Sequence, residues 1–299
     1  MQWWCSATGQ PWTWEWRAYP GVWVFVALLA LAYWFRSRRA ATGRPLGAHQ
    51  RDPGARESFR TEPPSRVQQT WFLTGIVSIW LALDWPIGAL GAGYLASFHT
   101  VTYVLLVMAA PPCLILALPT SWIRQAMSRP FLNRVFWYAG RPWVGLAAFD
   151  TILLITHIPA VVDTLMVTQT GALLVDLSWL VGGGLLWWPV MGPSPDVVQI
   201  GRPLKMAYLF ASTLVPIIPS AFLTFAEFPF YRTYELAPRI FDSLTAQQDQ
   251  QVAGLLMKVV GDLPVWFGFG VIFFRWAREG EQHPPPVHPD ALRGAGVSN

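Results

Sequence analysis

Two histidines, a tyrosine, a methionine and several carboxylates are the residues of this chain whose types and spacing admit chemistry. His99 and Tyr103 stand four apart, so in a helix an imidazole and a phenol share one face, one turn from each other. Asp150 and His157 stand seven apart and so share nearly one face, about 10 Å apart along the axis. Imidazole with thioether suits copper, since soft thioether favours Cu(I) and imidazole accepts either oxidation state. His99, His157 and Met257 are therefore candidate copper ligands, with Tyr103, Asp84, Asp176, Asp249 and Asp262 as supporting groups. The same residues also suit a plainer role, as helix caps or as hydrogen-bond partners of a neighbouring helix. On residue chemistry alone packing is the favoured reading, because helix packing commonly uses His and only two His fall within apolar stretches.

The elements that must position these groups are long and apolar. The chain is 53% hydrophobic and only 13% charged over 299 residues, too apolar for an ordinary soluble domain. A membrane-spanning helix needs about 20 apolar residues. Seven stretches approach that length: Gly21 to Phe35, Thr70 to Leu90, Ser97 to Leu118, Pro142 to His157, Thr170 to Met191, Leu204 to Phe225 and Val252 to Trp276. Many of the eighteen Trp sit at their ends, as an interfacial aromatic belt requires. The expected fold is all-α, a seven-span transmembrane bundle over residues 1–276 with an Arg-rich connection at 36–69 and a polar, Pro-rich tail at 277–299 expected to be disordered.

Arginine crowds every second connection. Arg36, Arg38, Arg39, Arg44, Arg51, Arg56, Arg60 and Arg66 follow the first stretch, Arg124, Arg129, Arg134 and Arg141 follow the third, and Arg202 with Lys205 follows the fifth. The links after Leu83 and after His157 carry Asp84 and Asp163 and no Lys or Arg, and the link from Phe225 to Gln251 is mixed in charge. By the positive-inside rule the amino terminus lies outside and the carboxyl terminus in the cytoplasm. The net charge of +4 is then topological, and nucleic acid is excluded as a partner, because the Arg residues form no single groove with interleaved aromatics. The first eighteen residues lack a basic n-region and a small-residue cleavage site, so no cleavable leader is expected. Cys5 and Cys113 fall on opposite sides and are not expected to form a disulfide.

Within the stretches, Lys258 and Asp262 are spaced to neutralise each other, and Gly182, Gly183 and Gly184 permit close helix approach. Pro111, Pro112 and Pro119 should kink and end the third stretch. There is no H-E-x-x-H, Gly-x-Ser-x-Gly or Walker A sequence, so metalloprotease, hydrolase and nucleotide-driven readings lack their motifs and no enzyme is expected.

Several segments in order resemble the CtaG family of cytochrome c oxidase assembly factors, the polytopic type associated with caa-type oxidases. His99-Thr-Val-Thr-Tyr103, with Pro111, Pro112 and Pro119 beyond it, is similar to that family's H-x-x-x-H helix and its prolines. Thr156-His157-Ile158-Pro159 resembles its H-x-P, Leu186-Trp187-Trp188-Pro189 its W-W-P, and Asp249 to Met257 its D-Q-x-x-A-G-x-x-M stretch. The resemblance covers about Trp71 to Trp276. It implies work with cytochrome c oxidase subunits in the lipid bilayer of a bacterial plasma (inner) membrane, with copper delivered to the catalytic subunit from the outer side. Tyr103 stands where the pattern has its second His, and phenol is a poor ligand for Cu(I). Three matched segments begin at the expected outer face, which turns the balance toward a functional site there.

Two other readings use the same residues. A haem-binding membrane protein would take His99 and His157 as axial ligands. A copper or proton-coupled transporter would use Asp150, Asp176, Lys258 and Asp262 as a path, which their confinement to one half of the membrane disfavours.

Overall fold

Proline sets many of the helix starts, because its fixed φ suits the first helical turn and its missing N–H would be unpaired there anyway. Pro20, Pro130, Pro142, Pro159 and Pro203 each occupy the first or second position of a helix. The computed structural model describes residues 2–42, 61–192 and 200–282, and every regular element among them is helical. In chain order these are α1 Pro20–Ala41, α2 Arg66–Leu83, α3 Ile87–Gly93, α4 Ala96–Leu116, α5 Thr120–Met127, α6 Pro130–Ala139 and α7 Pro142–Thr156. They continue with α8 Pro159–Leu165, α9 Gln169–Met191, α10 Arg202–Ala211, α11 Ile217–Phe225, α12 Arg232–Glu235 and α13 Ala246–Gln282.

Four of them, α1, α4, α9 and α13, are long and apolar enough to cross a membrane, and counting the bent pairs α2 with α3 (44°) and α7 with α8 (73°) gives up to six candidates. The expected stretch from Leu204 to Phe225 is not one helix. It forms α10 and α11 with a turn at residues 212–216, where Pro216 and Pro219 can donate no hydrogen bond to the carbonyls one turn back. The first helix runs on past Phe35, so Arg36, Arg38 and Arg39 belong to α1 and not to a loop. Residues 277–282 of the expected tail continue the last helix instead, and the rest of that tail, with Arg44, Arg51, Arg56 and Arg60, lies outside the described residues.

α4 is central, packed against α2, α9 and α13. Pro111 and Pro112 do not end it, for the turn Leu105–Ala109 widens to a π-helix and the chain returns to α-helix through Leu116, but the helix stops just short of Pro119, as expected. Pro111 has no N–H for the Val107 carbonyl, and the Trp187 indole on α9 donates to that carbonyl at 3.1 Å instead. Gly183 makes the approach feasible, since a Cβ there would stand 2.6 Å from the same oxygen.

The helix ends sort into two sets. At the basic end, Tyr33 donates to the Ala117 carbonyl, Arg36 to the Trp122 carbonyl, and Lys205 to the Val190 carbonyl at the end of α9. An Arg202–Glu279 ion pair joins α10 to α13 there. At the opposite end lie the N-terminal segment, the α7–α8 elbow, the start of α4 and the link after α11, with His99 and His157 among them. Cys5 and Cys113 are free and buried.

Candidate functional site

The helix that carries His99 begins without a capping side chain of its own, because its N-cap position is Leu95. Its first amides would be orphaned in an apolar surrounding. Asp249, at the start of α13, takes them: its carboxylate accepts the Ala96 N–H at 2.5 Å, the Ser97 N–H at 3.3 Å and the Ser97 hydroxyl. A carboxylate at a helix N-terminus also meets the positive end of the helix dipole. Asp249 is only 2% exposed, so it serves as a buried cap supplied by a distant helix.

His157 stands at the elbow between α7 and α8. Ile158 is extended, as a residue before proline prefers, and Pro159 starts α8 in a new direction. The break leaves the imidazole at the helix end, where Nδ1 lies 2.8 Å from the Leu153 carbonyl. That contact makes Nδ1 the protonated nitrogen and leaves Nε2 with its lone pair. The Tyr231 hydroxyl closes the His157 carbonyl from above at 3.1 Å.

Trp179 on α9 joins the two imidazoles. Its ring centroid is 4.8 Å from that of His99 and 6.2 Å from that of His157, and Tyr103 stands 5.4 Å from it and 5.6 Å from His157. The Trp179 indole donates to Thr156 Oγ1 at 2.9 Å, fixing the ring beside the elbow. His99, 7% exposed, also faces the Gly91 carbonyl, which accepts the Tyr234 hydroxyl at 2.7 Å. A porphyrin ligated by both imidazoles would have to displace Trp179 and Tyr103.

The N-terminal segment closes the site from another side. The Trp4 indole donates to Asp176 at 2.8 Å, and the Cys5 thiol to the Leu83 carbonyl at 3.1 Å. Cys5, His99, Met166 and Asp176 line one small cavity of about 10 Å³. Burial, followed by the Asp176 and Asp84 carboxylates, pushes the Cys5 thiol well above its ordinary value, so it is held protonated. Burial likewise pushes the Tyr231 and Tyr234 phenols up, so both remain neutral donors.

The expected residues therefore divide. His99, Tyr103 and His157 come together around Trp179, and Asp176 shares the cavity of His99. Asp249 positions the helix of His99, while Asp84 caps the end of α2 and accepts the Trp23 indole at 2.9 Å. Met257 is buried in the apolar core on α13, and the thioether that lines the His99 cavity is Met166. Lys258 and Asp262 pair at 2.6 Å, as their spacing predicts. Among the described residues no group of three His, Cys, Asp or Glu side chains is placed to hold a metal ion.

Sequence reasoning missed Trp4, Cys5, Met166, Trp179, Tyr231 and Tyr234. The aromatic run Phe228-Pro-Phe-Tyr-Arg-Thr-Tyr234 in an otherwise polar link was the available signal for the last two. Trp179 had none, since a Trp in an apolar helix is ordinary.

No curated protein and no solved structure matches the chain. The family model for the cytochrome c oxidase caa3 assembly factor (Caa3_CtaG) does match, over residues 53–279, which include α2 to α12, nearly all of α13 and every residue of the imidazole cluster. On that match, with its ordered motifs in a helical bundle of apolar spans, the chain belongs to the cytochrome c oxidase caa3 assembly factor family.

Proposed function

We propose that this protein assists oxidase assembly from the bundle end that carries His99 and His157, passing copper as cargo toward the catalytic subunit. In this reading it is a non-catalytic multi-pass protein of a bacterial plasma membrane. The chain crosses seven times, the split stretch from Leu204 to Phe225 included, with the amino terminus outside. The gathering of Arg36, Arg202 and Lys205 at the end opposite the imidazoles supports that orientation.

The observation that carries the reading is the pair of imidazoles packed on one indole, each set against a backbone carbonyl. Fixing one ring nitrogen on a carbonyl sets the tautomer and leaves the other nitrogen for a borderline or soft cation. The Met166 thioether in the wall beside His99 adds a soft donor that suits Cu(I). With no group of three His, Cys, Asp or Glu in place among the described residues, a cation held by so few donors would be handed on, not stored.

The test is complementation of a strain lacking this gene with His99→Ala or His157→Ala. Each should lower cytochrome c oxidase activity about tenfold or more. Membrane levels of the protein and the oxidase haem band should persist, and added copper should restore activity. Normal activity in both variants would reject the site, and loss that copper leaves uncorrected would reject copper as the cargo.

A further inference from the structure

The basic end of the bundle holds a second feature, unconnected with the imidazoles. An apolar cleft of about 460 Å³ opens between α1, α2, α4, α5, α6 and α9, with Leu29, Phe72, Leu114, Phe136, Leu180 and Gly184 among its walls. Arg36, on the last turns of α1, stands in the same lining. Its guanidinium donates through Nη2 to the Trp122 carbonyl at 3.2 Å and to Gln125 Oε1 at 3.0 Å, and lies 5.0 Å from the centre of the Trp122 ring. Among the described residues no carboxylate pairs with it, and Arg129 is near enough to repel it electrostatically.

A guanidinium that no described carboxylate pairs, in the lining of an apolar cleft, matches a molecule with an anionic head and a hydrocarbon body. We propose that the cleft holds one acyl chain of an anionic phospholipid whose phosphodiester sits on Arg36. Three observations fix this occupant. The cleft lies at the basic end of a membrane bundle, where the positive-inside rule puts the anionic lipid leaflet. α1, one of its walls, buries only Val22 and Ala40 along its length, so the cleft borders a helix that is otherwise free to face lipid. Gly184 keeps the wall open: a Cβ there would meet nothing within 4 Å, whereas at Gly183 it would collide with Val107 and Pro111.

Gly184 thus offers a position from which a larger side chain can plug the cleft. The purified full-length protein, stripped in detergent and offered equal phosphatidylglycerol and phosphatidylcholine of matched chains, is read by native mass spectrometry. The wild type should retain one phosphatidylglycerol, with at least a tenfold preference over phosphatidylcholine, a discrimination of about 1.4 kcal/mol. Gly184→Leu should retain neither lipid, and Arg36→Gln should bind both equally. Excess inorganic phosphate should not displace the bound lipid, since the chain as well as the head is recognised. Equal lipid retention by the wild type and Gly184→Leu, or an undiminished preference in Arg36→Gln, overturns the proposal. If helical circular dichroism shows Gly184→Leu to be unfolded, the head-group preference of Arg36→Gln decides alone.

Discussion

The Asp249 carboxylate accepts the Ala96 N–H at 2.5 Å, three residues before His99. The first turn of the imidazole-bearing helix is therefore held by a residue more than 150 positions away. A cap usually fixes its own helix. This one fixes the angle between α4 and α13, so the placement of His99 depends on how the bundle closes.

Asp249→Ala should cost about 2 kcal/mol or more, at the upper end for a lost cap, because the amides it leaves are buried. Asp249→Asn keeps an acceptor and should lose less than half as much. Thermal unfolding in detergent orders the two variants, and equal losses would show that the carboxylate does not act as a cap.

Trp187 and Trp188 are neighbours with opposite duties. The Trp187 indole satisfies the Val107 carbonyl that Pro111 leaves free, whereas the buried Trp188 nitrogen has no hydrogen-bond partner among the described residues and its ring stacks on Phe136. Trp187→Phe should destabilise by about 1–3 kcal/mol through an unsatisfied carbonyl, and Trp188→Phe by well under that. The reverse order in thermal unfolding would rule out the account of the α4 π-turn.

The Tyr103 hydroxyl is buried without a hydrogen-bond partner among the described residues. Removing it should relieve desolvation, so Tyr103→Phe should raise stability by roughly 1 kcal/mol. Oxidase activity in the complemented strain then separates two roles. A stabilised but inactive variant marks the hydroxyl as functional, and a stabilised, active one marks the ring as packing.

Cys5 is buried and held protonated. In a Cys113→Ala background, maleimide labelling of the folded protein should be slowed about a hundredfold or more relative to the unfolded chain, since only the thiolate reacts. The sign of the pH effect follows from the raised thiol: its contribution to stability is complete below the ordinary thiol value of 9.0 and declines as pH rises above it, where the unfolded chain ionises and the folded one does not. A rise in stability across that range would contradict the burial of the thiol.

Much of the bundle was written along the chain. Apolar length marked α4, α9 and α13, and the Pro-bounded stretch before His157 marked α7, because local composition is enough to drive an element into a bilayer. The i,i+4 spacing of Lys258 and Asp262 predicted their pairing for the same local reason. The turn within Leu204 to Phe225 was also present, in Pro216 and Pro219, but hydropathy averaged it away.

By itself, then, the sequence determined the helical class, most of the apolar stretches, the sorting of Arg to alternate connections and the histidines worth watching. Only the tertiary structure decided what those histidines meet. That Trp179 lies between them, that Asp249 caps the helix of one, that Tyr231 closes the elbow of the other, and that Cys5 and Met166 share a wall with His99 are contacts between residues far apart in the chain. Periodicity reports which face of a helix is apolar. Which neighbour that face meets is set by the glycines and prolines that let helices approach and bend, and by the hydrogen-bond debts those bends leave for another helix to settle.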